Sequence, residues 1–127
     1  MQKPRILIIE DNPINVILTK KFLEEIVVSE TATTVQLGLQ QLSNNQYDMV
    51  LTDLNFGDEQ QTGFDILIAI QKNNKLAHIP VLAITAYPDE LQKIDNQTYK
   101  FTEIIQKPIT KEALLRTMKR YFPSISL

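Results

Sequence analysis

Residues 5–15 read RILIIEDNPIN. The run over 5–10 is rich in β-branched residues and leucine, as expected for a strand buried on both faces. It closes on the adjacent carboxylates Glu10 and Asp11. Asn12-Pro13 then supplies a helix start, because proline is tolerated in a first helical turn. Ile14, Ile17, Leu18, Phe22 and Ile26 follow at helical spacing and predict one apolar stripe. The same order of apolar run, reactive polar residue and helical period recurs downstream. Asp53 follows YDMVLT, Thr85 ends the run VLAIT, and Lys107 follows EIIQ. In an open parallel α/β sheet, ligands bind outside the carboxyl ends of the strands. Four reactive endings, far apart in sequence, are therefore expected to meet at one pocket.

The remaining elements fit the same alternation. Strands are expected over 5–10, 27–31, 47–52, 79–84 and 102–106. Pro80 falls at a strand start, where a missing donor is tolerated. Thr34 is placed to cap a helix whose buried face is Val35, Leu39 and Leu42. Phe64, Leu67, Ile68 and Gln71 mark the next helix, which ends in Asn73-Asn74. A short fourth helix is expected from Pro88 to Lys93. Thr110 opens a last one through Leu114, Leu115, Met118 and Tyr121, stopped by Pro123. The loop from Asn55 to Thr62 is polar apart from Phe56. This is a βαβ series of the α/β class, a (βα)5 doubly wound parallel five-stranded sheet with right-handed crossovers.

Length and composition narrow the functions available. With 127 residues, the chain reads as one domain, 1–127, and no output domain is expected after the last helix, where only PSISL follows. Thirteen Lys+Arg against fifteen Asp+Glu give a net charge of −2, which argues for neither nucleic acid nor an anionic membrane as a direct partner. Cysteine is absent, so disulfides, thiolate metal sites and Cys nucleophiles are excluded. The first apolar run is too short for a signal peptide, and none is long enough to span a bilayer. A cytoplasmic location is the expectation.

Glu10, Asp11 and Asp53 brought together would repel one another, and a hard divalent cation is the natural remedy. Mg2+ prefers one or two carboxylates with waters and phosphate oxygens. An Asp carboxylate can also act as a nucleophile and form an aspartyl-phosphate. Phosphoryl transfer needs positive charge around the equatorial oxygens, which a metal and the Lys107 ammonium can supply, while the Thr85 hydroxyl can donate to one of them. Taken singly, each residue also has a plain structural reading. Asp11 or Asn12 can cap a helix, Asp53 can make a turn, Thr85 can be a strand-end hydroxyl, and Lys107-Pro108 can be a solvated strand exit. His78 reads as a surface loop residue. Phe22, Phe64 and Phe101 read as core, and Phe56 and Tyr87 as residues near the pocket.

Taken together, ILIIEDNPIN, YDMVLTDLN, Gly63-Phe64, IPVLAITAY and IIQKPI resemble the receiver domain of two-component response regulators, in pattern most like the receivers of hybrid sensor kinases. The resemblance runs from Arg5 to the last helix. It implies a flavodoxin-like strand order 2-1-3-4-5, the order of which the chemotaxis receiver is an example. It implies Asp53 as phosphoacceptor, Glu10 and Asp11 as Mg2+-binding acids, Asn55 as a ligand through its backbone carbonyl, and Thr85 and Lys107 as phosphoryl contacts. The implied donor is a phosphohistidine on a histidine kinase or histidine phosphotransfer domain, with the first helix as docking face. A phosphorylation-dependent homodimer is one form the response could take. Such a domain phosphorylates itself on aspartate and is not an enzyme turning over an external substrate.

Two features depart from the family pattern. NFGDEQQTG replaces the usual Met-Pro and shorter loop after the acceptor, and Ile104 stands where receivers often carry an aromatic ring. They motivate an alternative, a phosphorylation-independent pseudo-receiver serving as a protein-interaction module. A flavodoxin-like cofactor binder would want a phosphate loop where EDNPIN has the wrong charge. A haloacid-type phosphatase would want a carboxylate at position 55.

Overall fold

Leu7 and Ile9 face one side of a central sheet, Ile6 and Ile8 face the other, and all four are buried. A strand covered on both faces favours apolar side chains on both, which accounts for the apolar run over Ile6–Ile9. In this computed structural model residues 3–54, 62–86 and 99–125 are described. Among them, five parallel strands pair as β2-β1-β3-β4-β5, where β1 is Arg5–Ile9, β2 Val28–Ala32, β3 Met49–Asp53, β4 Val81–Thr85 and β5 Glu103–Gln106. The order reverses between β1 and β3, and a crevice opens above the carboxyl ends there. Register sets the ends side by side: Ile9 lies opposite Thr52, Asp53 opposite Ile84, and Thr85 opposite Gln106.

Four described helices cover the sheet: α1 Pro13–Leu23, α2 Val35–Asn44, α3 Gly63–Lys72 and α4 Lys111–Tyr121, the last being the fifth in the sequence expectation. On one face Leu23, Leu114 and Met118 pack with Ile6, Ile8, Met49 and Leu51. On the other, Val35, Leu42, Ile66, Leu67 and Ile70 pack with Leu7, Ile9 and Val50. Each helix start is fixed by a side chain that satisfies backbone N–H groups left open by the first turn. Asn12, Thr34 and Thr110 cap α1, α2 and α4, each a substitution-sensitive contact of about 1 kcal/mol. Thr62 and Asp65 form a reciprocal capping box at α3.

Several expectations change. Strands begin or end one or two residues from their predicted limits, because hydrophobicity continues past the hydrogen-bonded ladder: Ile79 is buried yet precedes β4, and Val27 is buried yet precedes β2. Thr62 was placed in a loop and is instead the cap of α3. The predicted apolar stripe of α1 is buried only in part, at Phe22 and at Ile26 just beyond the helix. Ile14 and Ile17 are 67% and 64% exposed, and Leu18 is exposed too, whereas Thr19 and Leu23 turn inward. Phe22, Phe64 and Phe101 lie at the core edges, partly buried, and Phe64 and Phe101 meet edge-to-face with centroids 6.0 Å apart. His78 is exposed, as expected. Asn55, Phe56, Tyr87 and the short helix from Pro88 to Lys93 lie outside the described residues.

Candidate functional site

The chain leaves β1 at Ile9, and Glu10 continues in extended register, its N–H donating to the Ala32 carbonyl at 2.9 Å. Asp53 is the last residue of β3 and Thr85 the last of β4, while Lys107 directly follows β5. The parallel ladder therefore delivers all four to the same edge. Glu10, Asp53 and Thr85 are buried and Asp11 is exposed. One ligand oxygen from each of Glu10, Asp11 and Asp53 lies within 4.8 Å of the other two.

Among the described residues Lys107 supplies the cation of this cleft. Its Nζ lies 3.2 Å from Asp53 Oδ2 and 3.9 Å from Glu10 Oε1. Its backbone is tied down as well, the Lys107 N–H donating to the Thr85 carbonyl at 2.8 Å. The Lys107–Pro108 peptide bond is cis. Asn15, in the first turn of α1, donates from Nδ2 to Glu10 Oε1 at 2.7 Å. Glu10 Oε2 is buried and has no hydrogen-bond partner among the described residues. Burial first, and then the adjoining Asp53 carboxylate, push the Glu10 carboxyl up to about 7, while the Asn15 hydrogen bond and the Lys107 charge pull it down.

Gly63 packs against the end of β3 at Asp53. Its N–H donates to the Leu54 carbonyl at 2.9 Å, and a Cβ at this position would come within 2.3 Å of the Asp53 carbonyl oxygen. Only a residue without a side chain lets the start of α3 approach the end of β3 so closely. Beside the acids a cavity of about 340 Å³ runs down between α1 and the segment after β5, with Leu18, Phe22 and Ile109 forming its apolar wall.

The donor set fits a hard divalent cation. Among the described residues three carboxylates cluster, two of them beside the Lys107 ammonium, and the buried orphan oxygen of Glu10 lacks the partner that such atoms almost always have. Oxygen-only ligation with room for water and phosphate oxygens suits Mg2+.

Thus Glu10, Asp11, Asp53 and Lys107 are brought together, and Thr85 stands at the neighbouring strand end. Asn55 falls outside the described residues. Ile104, on β5, is 42% exposed. Sequence reasoning gave no role to Asn15, although it stands inside the quoted EDNPIN, and used Gly63 only to align a motif. The spacing of five from Glu10 to Asn15, across a capped helix start, was the available signal for the first. The second contact joins residues that no local pattern connects.

Comparison with known proteins agrees with this architecture. Residues 6–119 match the family described as response regulator receiver domain. The chain is 27% identical to the chemotaxis protein CheY of Pseudomonas aeruginosa over 96% of its own length and 98% of that protein. It is 30% identical to the aerobic respiration control sensor protein ArcB of Escherichia coli over 92% of its length, but spans only 15% of that larger protein. The receiver domain of a sensor histidine kinase from Pseudomonas aeruginosa PAO1, solved with a magnesium ion in its active-site cleft, superimposes with a TM-score of 0.83 at 20% identity, covering 96% of this chain and 99% of that one. No helix among the described residues is long and apolar enough to cross a membrane. This chain belongs to the response regulator receiver domain family of two-component signalling.

Proposed function

We propose that this receiver accepts a phosphoryl group from a phosphohistidine onto Asp53, with Mg2+, and that occupancy of Asp53 alters the surface offered to partners. The observation that carries the reading is the Lys107 ammonium 3.2 Å from Asp53 in a buried acidic cleft with an uncommitted Glu10 oxygen. An Asp53 carboxylate oxygen attacks phosphorus. The P–N bond to the donor imidazole breaks, its electron pair returns to the ring nitrogen, and an aspartyl-phosphate results. Glu10 and Asp11, with Asp53 and the Asn55 carbonyl, would hold the cation. When bound, Mg2+ supplies positive charge to the carboxylates and to the phosphoryl oxygens. Lys107 shifts from neutralising the free Asp53 carboxylate to contacting the phosphoryl group, and the Thr85 hydroxyl donates to one of its oxygens. The acceptor is consumed in each event, so no external substrate is turned over.

The exposed Ile14, Ile17 and Leu18 lie on the helix that opens beside the acids, and they suit docking of the phosphohistidine-bearing domain. Among the described elements, β5 and α4 are the surface expected to respond. The magnesium in the cleft of a fold neighbour and the match to part of a sensor protein both support a place in a phosphorelay. Among the described residues nothing in the site favours a phosphorylation-independent module, which would have no use for a buried carboxylate pair facing a lysine.

Incubation with a histidine phosphotransfer domain carrying labelled phosphate tests the reading. Label should move to the wild type and not to Asp53→Asn. Ile17→Glu should slow that transfer by roughly fivefold or more, while labelling by acetyl phosphate stays unchanged. Equal labelling of Asp53→Asn would refute the acceptor assignment.

A further inference from the structure

Glu10 is gripped on one side only. Oε1 receives the Asn15 amide at 2.7 Å and has Lys107 Nζ at 3.9 Å, whereas Oε2 is buried with no partner among the described residues. We infer that Asn15 is a positioning residue for the cation site: its amide engages Oε1 and thereby commits Oε2 to the divalent ion. The inference rests on the Mg2+ reading proposed above and goes beyond it by adding a residue that touches neither the ion nor the phosphoryl group.

The local sequence supplies what this role needs. Pro13, Ile14 and Asn15 are the first three residues of α1, and the Asn12 Oδ1 accepts from the N–H groups of both Ile14 and Asn15, at 2.9 and 3.3 Å. Proline fixes its own backbone angle at the helix start, and the Asn12 cap holds the Asn15 N–H. At the third helical position a carboxylate or Gln usually reaches back to the cap's own N–H. Asn15 reaches past the cap instead, to the side chain of Glu10.

Charge explains why an amide serves here. An acidic residue in the first turn is ordinarily favoured by the helix dipole, yet the first turn of α1 contains none. A carboxylate at position 15 would add a fourth negative charge to Glu10, Asp11 and Asp53. An ammonium or guanidinium would form an ion pair and spend the Glu10 charge that the metal needs. A neutral donor orients the carboxylate and leaves its charge intact. Glutamate makes this restraint valuable, since its three side-chain torsions let an untethered carboxylate exchange its two oxygens or swing toward Lys107. Groups that orient metal ligands in this way typically change metal affinity by about 10- to 100-fold when removed.

Mg2+ titration of the full 127-residue chain, followed by amide NMR shifts, reads both affinity and fold. Asn15→Leu removes the donor at similar size, and Asn15→Ser serves as the second variant should the first lose its native spectrum. Each is titrated alone and in a Glu10→Ala background. The expected result is about tenfold weaker Mg2+ binding on replacing Asn15, with amide shifts of the rest of α1 and of the sheet retained, and no more than about a twofold further loss once Glu10 is absent. Binding within about twofold of wild type, or the same tenfold loss with and without Glu10, would overturn the inference and leave the Mg2+ reading standing. Failure of the wild type to bind Mg2+ would overturn both.

Discussion

Glu10 carries the electrostatic cost of the cleft. Its carboxyl ordinarily ionises near 4.5 and is pushed up to about 7 in the fold, by burial first and by Asp53 next. Between those values the folded chain keeps a proton that the unfolded chain has released. Stability of the metal-free protein should therefore fall as pH rises from about 4.5 through about 7, and level off above. Glu30, held below its ordinary range by Arg5, acts in the opposite sense but at pH below 4.5. Urea midpoints for wild type and Glu10→Gln, compared across pH, isolate the Glu10 contribution. A wild-type advantage that grew from pH 5 to pH 7 would contradict the account. Saturating Mg2+ should flatten the dependence, since the ion and the proton compete for one carboxylate. At this scale the clustering of Glu10 and Asp11 with Asp53, Thr85 and Lys107 was legible because they close four apolar runs, the first two sharing one. Asn15 was not, because its partner is chosen by the turn geometry of a capped helix rather than by a pattern of residue types.

Among the elements, β3 and α3 meet at a close join. Gly63→Ala places a Cβ against the Asp53 carbonyl, where the nearest atoms are backbone and cannot rotate aside. The substitution should destabilise the protein by about 1–3 kcal/mol in urea unfolding and should slow phosphorylation of Asp53 by displacing its strand end. Unchanged stability and rate would show that the two elements separate more readily than their contact implies. The capping box beneath this join was present in the sequence as Thr62 and Asp65, three residues apart, but lay hidden in a polar loop. Helix α1 shows a second limit. Periodicity identified the helix, yet could not say whether its apolar stripe meets the sheet or a partner, and half of that stripe faces solvent. The strands were found while their ends were not, because burial and ladder hydrogen bonding stop at different residues, as at Ile79 and Val81.

At the scale of the molecule, β1 contributes to both cores, with Ile6 and Ile8 in one and Leu7 and Ile9 in the other. The two halves should therefore unfold together. Leu7→Ala and Ile8→Ala should each cost about 2–5 kcal/mol, and each should retain one transition coincident by fluorescence of tyrosine and by circular dichroism. Separate transitions would mean that the two layers are independent. The strand order that serves this shared core also places the reversal between β1 and β3, so that Glu10 and Asp53 face one another across the crevice. The central claim is that this crevice phosphorylates Asp53 with the help of a divalent ion. Intact mass and peptide mapping after incubation with acetyl phosphate, with and without Mg2+, test it most directly. The account predicts one Mg2+-dependent phosphoryl adduct, mapped to Asp53 and missing from Asp53→Asn; no adduct, or one that persists in that variant, would contradict it.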